Sequence, residues 1–226
     1  MQNNEDKYLR LKAIYPQEKL ELLSKLNVAV IGLGGVGSYC ACALVRSGVG
    51  NLTIVDFDKI EPSNINRQLF ASEKTIGKLK VDVCENTLKE INSKINVNKF
   101  ANKISDLNLS EVLGKAAYIV DAIDDVNDKI ALAKFSQDNK IPIISCMGTA
   151  MKKDATKLRF DDIYNTSVCP LCKSFRKLAK QNNIQKLEVL YSTESPAKSL
   201  NGQLGSTSYL PPIAGLMLAG KVIESI

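Results

Sequence analysis

Over roughly the first 150 residues, short unbroken apolar runs alternate with longer segments whose apolar positions recur at helical spacing. The first run, residues 28–31, has no polar break, as a strand buried on both faces of a parallel sheet requires. A helix over about 36–47 and a second strand over 52–55 follow. TIGKLKVDVCENTLKEIN predicts an amphipathic helix with Val81, Cys84, Leu88 and Ile91 on its buried stripe. Further strands are expected at 97–104, at 117–122 and in IPIISCMG, with a helix beginning near Val126. Pro142 sits near the start of that last strand, where its missing N–H costs little. Upstream, residues 8–25 read as one or two helices, with Pro16 as a start and Leu20, Leu22, Leu23 and Leu26 as packing residues.

From Met151 the alternation ends. Residues 157–160 read as an edge strand, 170–181 as a helix and 187–191 as a strand. Residues 194–208 form a loop of the kind that covers active sites or is disordered. The segment PPIAGLMLAGKVIESI is a Pro-started helix apolar enough to pack against a sheet. The pattern predicts one α/β domain over 1–226: N-terminal helices (1–26), a nucleotide-binding core (27–150) and a substrate-side extension (151–226). Its expected architecture is a Rossmann-like, doubly wound, mostly parallel sheet, extended by antiparallel strands in the C-terminal third.

The turn after the first strand carries the chemistry. Gly32, Gly34 and Gly37 fall at G-x-G-x-x-G spacing, with Gly35 between them. The first allows a sharp turn, the second lets backbone approach a phosphate, and the third lets helix pack on strand. The following helix would aim its N-terminal N–H groups at that phosphate. Asp56 ends the next strand about twenty residues on, where a carboxylate meets a ribose hydroxyl. In the polar loop DFDKIEPSNINRQLF, Asp58, Asn64, Arg67 and Gln68 follow the carboxyl end of a strand and are placed to meet a ligand. Lys78 and Lys80 are expected in the first turn of a helix, where the dipole disfavours cations, which hints at an anion nearby. Asp124 and Asp125 close a strand at the same edge. One is expected to hold Mg2+ or ribose, the other to cap the helix that follows. These residues alone leave NAD, FAD and ATP open.

Composition narrows the chemistry. Hydrophobic content of 45% and charged content of 24% are ordinary for a globular chain. The absence of histidine excludes Ser-His-Asp and Cys-His catalysis and His-based zinc sites. A net charge of +6 suggests a polyanionic partner. On the 170–181 helix, Lys173, Arg176, Lys177 and Lys180 share a face opposite Leu171, Phe175 and Leu178. With Lys152, Lys153 and Arg159 they make a candidate nucleic-acid footprint. Arg10, outside the Rossmann unit, reads by itself as a solvated charge. The polar N-terminus and the lack of a transmembrane-length apolar run point to a cytoplasmic protein with no membrane association. The six cysteines are then expected to be reduced thiols. Cys169-Pro170-Leu171-Cys172 is a single CxxC without a second pair or a histidine, so zinc is not expected. Cys40, Cys42 and Cys146 do not complete a cluster. A redox role is not expected either, because the motif does not follow a first strand in a thioredoxin-like order.

GLGGVGS, VDFD, SNINRQ, GKLK and the strand-end Asp124-Asp125, in this order over about residues 28–147, resemble the ThiF/MoeB/E1-like adenylating superfamily. The resemblance implies ATP-dependent activation of a carboxylate as an acyl adenylate, with release of pyrophosphate. It implies phosphate on the loop 32–37, ribose on Asp56, and Asn64, Arg67 and Lys80 around the phosphates. It also implies Asp124 on Mg2+ or the reacting phosphate, and a homodimer in which Arg10 is lent across the interface. The second half, with ISCMGTAMKKDATKLRFDDIYNTSVCPLC, VLYSTESP and GSTSYLPPIAGLMLAGKVI, is similar to the tRNA threonylcarbamoyladenosine dehydratase branch. That branch adenylates the carboxylate of the modified nucleoside in tRNA and closes it through its own carbamoyl group, with no protein nucleophile. The resemblance further implies a monovalent cation (Na+ or K+), and makes CPLC incidental. The second reading is an adenylyltransferase activating the C-terminal Gly-Gly of a ubiquitin-like sulfur carrier. Such enzymes usually carry two CxxC pairs. An NAD-dependent oxidoreductase leaves the Asn64, Arg67 and Lys80 set unexplained.

Overall fold

The computed structural model describes residues 6–226. Among them, seven strands form one sheet: β1 (Asn27–Ile31), β2 (Asn51–Val55), β3 (Asn96–Phe100), β4 (Tyr118–Asp121), β5 (Ile143–Cys146), β6 (Leu158–Asp162) and β7 (Glu188–Ser192). Their order is β3-β2-β1-β4-β5-β7-β6, and every pairing is parallel except β6 with β7. The C-terminal third thus extends the sheet as expected, although β7 itself continues the parallel run and only the edge strand β6 turns back.

The helices are α1 (Leu9–Lys12), α2 (Gln17–Lys25), α3 (Gly37–Arg46), α4 (Lys80–Ile91), α5 (Leu109–Leu113), α6 (Val126–Asn139), α7 (Pro170–Gln181) and α8 (Leu210–Glu224). Because strand side chains alternate, β1 feeds two cores. Val28 and Val30 join Leu44, Cys84, Leu88 and Leu218 on the face covered by α3, α4 and α8. Ala29 and Ile31 join Leu113, Ile119 and Leu132 under α5 and α6. A third cluster, with Ile163, Cys172, Phe175 and Val189, seats α7. The chain winds outward from β1 to β3, then returns to β4 on the other side. This reversal opens a crevice beyond the carboxyl ends of β1 and β4, where ligands bind in such sheets.

Several local expectations change. Leu22 is 54% exposed, so α2 docks through Leu23, with Leu20 and Leu26 half-buried. The third strand stops at Phe100, and Ile104 packs from a separate 3-10 turn, Ile104–Asp106. Lys78 is exposed and precedes α4, whose first residue is Lys80. The buried face of α7 is Cys172, Phe175 and Ala179, with Leu171 and Leu178 half-buried at its margins. α8 packs against α3 as well as β5: a Cβ on Gly215 would fall 2.2 Å from the Val36 carbonyl oxygen, so only glycine permits this approach.

Candidate nucleotide site

A cavity of about 760 Å³ occupies the crevice, with the glycine turn on one wall and the loop after β2 on the other. Gly32 has φ +87°, and a Cβ there would lie 2.8 Å from the Ala122 carbonyl oxygen. A Cβ on Gly37 would lie 1.7 Å from the Gly32 carbonyl oxygen, so α3 leaves the strand through a space that only hydrogen fills. Gly34 differs: its nearest neighbour would be Gln68 Nε2 at 3.9 Å, which leaves bare backbone facing open cavity. No side chain caps α3; of its first-turn amides that of Ser38 already donates to the Gly34 carbonyl at 3.1 Å, so an anion there would meet the glycine-loop backbone before it.

Asp56 is buried at the cavity floor. Its carboxylate accepts from the Leu33 N–H (2.7 Å) and the Asp58 N–H (2.9 Å). Burial pushes its pKa above the ordinary value, against the opposing pull of Lys80 and the two amides. Lys80 bonds Asp58 at 2.7 Å and lies 3.7 Å from Asp56. The anion hinted at by a lysine at a helix start is, in this structure, that pair of carboxylates. A 3-10 turn, Pro62–Asn64, shapes the opposite wall. Glu61 N–H donates to Asn64 Oδ1 at 3.1 Å, which fixes that buried amide. Arg67 donates to the Ser63 carbonyl and to Asn66 Oδ1, each at 2.9 Å.

Gly32, Gly34, Asp56, Asp58, Asn64, Arg67, Gln68, Lys80 and Asp124 therefore line one cavity, as does Gly35, where a Cβ would meet Arg67 Cγ at 3.2 Å. Asp125 does not line it. It caps α6 by accepting from the N–H groups of Asn127 (2.8 Å) and Asp128 (3.0 Å), which is the cap expected of one of the two acids, while Asp124 lines the cavity. Arg10 is exposed on α1 and lies outside the cavity lining. On α7, Lys173, Lys177 and Lys180 are exposed, whereas Arg176 turns inward to the carbonyl and hydroxyl of Thr166. That guanidinium ties a turn to its helix, and the basic face narrows to three lysines.

Other contributors come from beyond the glycine turn and the loop after β2, among them the 194–208 loop expected either to cover an active site or to be disordered. The loop before α8 reaches the cavity through Leu204, Gly205 and Ser206. It is stitched there by Asn66 Nδ2 to Ser206 O (3.0 Å) and Met151 N–H to Gly205 O (2.9 Å). Met147, Gly148, Thr149 and Ala150 complete the wall after β5. Beneath them Lys129, at 0% exposure, donates to both oxygens of Asp121 (3.0 Å each), to Ser145 Oγ (3.0 Å) and to the Cys146 carbonyl (2.7 Å). This buried ion pair joins the ends of β4 and β5. Cys169 and Cys172 lie at the start of α7, with Cys169 at the N-cap position. Among the described residues no group of three or more Cys, Asp or Glu side chains could hold a metal ion by itself. Nor is any helix among them long and apolar enough to cross a membrane.

Known proteins resemble this chain along most of its length. The tRNA threonylcarbamoyladenosine dehydratase of Bacillus subtilis is 34% identical, over 93% of this chain and 90% of its own length. The crystal structure of the E. coli tRNA N6-threonylcarbamoyladenosine dehydratase with AMP superposes with a TM-score of 0.89 at 26% identity, covering 94% of this chain and 90% of that one. Its ATP complex gives 0.87 at 25% identity, covering 97% and 94%. A family model described as "ThiF family" matches residues 6–226, so this chain belongs to the ThiF family.

Proposed function

We propose that this chain is an ATP-dependent tRNA threonylcarbamoyladenosine dehydratase. One observation carries the reading. A glycine wall bare enough for phosphate faces Arg67, Lys80, Asn64 and Asp124 across a single cavity, in a chain similar along most of its length to enzymes of that name. ATP would lie with its phosphates along Gly34 and Gly35 and its ribose on Asp56. The substrate carboxylate attacks the α-phosphorus and pyrophosphate leaves, giving an acyl adenylate. The neighbouring carbamoyl group of the same nucleoside then attacks the acyl carbon, AMP leaves, and the ring closes. Both steps demand positioning and charge neutralisation more than proton transfer, which suits a histidine-free site.

Arg67 is braced at Ser63 and Asn66, so its guanidinium is held near where phosphate charge develops. Lys80 bonds the half-exposed Asp58 and would exchange that partner for phosphate. Asp124 stands exposed on the cavity wall, and a single carboxylate there fits Mg2+, which takes one or two carboxylates together with substrate phosphates. When bound, Mg2+ supplies further neutralisation of the triphosphate. The working unit in this reading is a cytoplasmic homodimer in which Arg10 serves the partner's cavity. Lys173, Lys177 and Lys180 would track the tRNA backbone.

Incubation with ATP and tRNA carrying N6-threonylcarbamoyladenosine, followed by mass spectrometry of the nucleosides, tests this. The expected product is the nucleoside lighter by one water, with AMP released in step. An unchanged nucleoside, together with ready adenylation of a ubiquitin-like carrier's C-terminal Gly-Gly, would transfer the site to the adenylyltransferase reading.

A further inference from the structure

Three features of the Cys169-Pro170-Leu171-Cys172 turn are unused by the nucleotide site. Cys169 is the N-cap of a 12-residue helix and Cys172 lies in its first turn, so both sulfurs share the positive end of α7. The Cys172 thiol and the Leu171 and Cys172 amides lie in the same turn as the Cys169 sulfur. These contacts hold it well below the ordinary thiol range, while Cys172 is pushed upward.

The second feature is Lys152. It is 2% exposed, and among the described residues its ammonium donates only to the carbonyls of Gly148 (3.1 Å) and Ser192 (3.3 Å). Among the described residues no carboxylate lies within ion-pair distance of it. A buried cation without an anion is costly; the Gly148 that Lys152 holds through its carbonyl also abuts Cys169, where a Cβ would lie 3.9 Å from the sulfur, so a Cys169 thiolate would offset that charge. The third is the preceding backbone. Val168, β-branched and 50% exposed, is held at φ +64°, with the Cys169 N–H turned back onto the Ser167 carbonyl at 2.6 Å. A valine in that region is strained, and such strain persists where the surroundings hold a functional group in place. The other groups facing the pair are the Cys146 thiol, raised by burial, and the Thr166 hydroxyl held by Arg176. The sequence-based expectation of no redox role rested on chain order; the motif nevertheless opens a helix.

We infer that Cys169 and Cys172 form a peroxide-reactive dithiol, a modification site in which Cys169 is oxidised first and Cys172 resolves. The Cys169 thiolate attacks one oxygen of hydrogen peroxide, the O–O bond breaks, and hydroxide leaves, giving a sulfenic acid. The Cys172 thiol then attacks that sulfur, the S–O bond breaks and water leaves, closing a disulfide. Two thiols lose two electrons, and the peroxide is reduced to water. A dithiol reductant reverses the change. Cys169 is only 3% exposed, which suits an oxidant as small as peroxide, arriving past Val168 or along the cavity wall at Gly148. Oxidation removes the anion from Lys152 and so acts on the segment that walls the cavity. This chemistry does not depend on what the cavity binds.

The test treats reduced full-length protein with hydrogen peroxide, quenches with catalase, and alkylates after denaturation for intact-mass and peptide analysis. Before alkylation, wild type should lose about 2 Da, as one disulfide requires. The bond should map to the 169–172 peptide, Cys40, Cys42, Cys84 and Cys146 should still alkylate, and dithiothreitol should restore the mass. Cys172→Ser should instead accumulate a dimedone-trappable sulfenic acid at Cys169, and Cys169→Ser should show neither product. Oxidation spread evenly over the six cysteines, no mass loss while the protein stays folded, or wild-type oxidation in Cys169→Ser would each overturn the assignment. The wild-type mass decides the matter even where a variant fails to fold.

Discussion

Lys129→Met isolates the ion pair beneath the cavity. Methionine keeps the length of the side chain and removes its charge, leaving Asp121, fully buried, with the Ser145 hydroxyl (2.5 Å) and the Ile123 N–H (3.3 Å). At an effective dielectric of about 20, two charges 3 Å apart attract by roughly 5 kcal/mol, and desolvation opposes much of that. Removing one partner is worse than never having had the pair, because the remaining carboxylate stays buried: about 3–5 kcal/mol. For a domain of this size each kcal/mol is about 2–4 °C, so the melting temperature should fall by about 10 °C. Lys129→Met/Asp121→Asn should be more stable than the sum of the single changes predicts, by at least about 1.5 kcal/mol, because no uncompensated charge then remains. Thermal melts and urea titrations of the four proteins measure the cycle. A single variant melting within about 2 °C of wild type, or strictly additive changes, would refute the claim that this pair fastens β4 to β5.

Arg67→Ala removes a guanidinium that is anchored, among the described residues, at Ser63 and Asn66 of its own loop, so the melt should stay within about 2 °C while kcat falls by about 100-fold or more; wild-type turnover of the modified tRNA would take Arg67 out of the mechanism. Changing Lys173, Lys177 and Lys180 together to Glu should weaken tRNA binding and reduce the salt-dependence slope by about 2–3, read by filter binding across a salt series; an unchanged slope would return that face to plain solvation. Burial raises the Asp56 carboxyl, so its ionisation opposes folding: the stability it lends is complete below the unfolded value of about 4 and is lost as pH rises through the folded one. Asp56→Asn should therefore compare better with wild type at pH 7 than near pH 4 in denaturant midpoints, with weaker ATP affinity at both; the opposite ordering would show that Lys80 and the two amides outweigh burial.

The sequence by itself determined the frame. Mostly apolar runs at β1, β4 and β5 specify a doubly covered parallel sheet, because a strand buried on both faces admits few polar positions, and those of Asp121 and Ser145 are paired with Lys129. The glycine spacing specifies the turn between β1 and α3, because the collisions that exclude a Cβ at Gly32 and Gly37 arise within one strand-turn-helix unit and its sheet neighbour. Asp125 as a cap was legible for the same reason: its partners lie two and three residues on. Tertiary structure alone decided what depends on distant partners. It turned Arg176 inward to Thr166, gave Lys80 to Asp56 and Asp58, paired Lys129 with Asp121, and brought Leu204 to Ser206 onto the cavity rim. It also buried Lys152 against the carbonyl of Gly148, the glycine that abuts Cys169, which is the arrangement the proposed dithiol rests on. A charged side chain reads alike in sequence whether it is solvated or buried. Which it becomes is fixed by the desolvation cost and the partner that offsets it, and both exist only once remote segments have met.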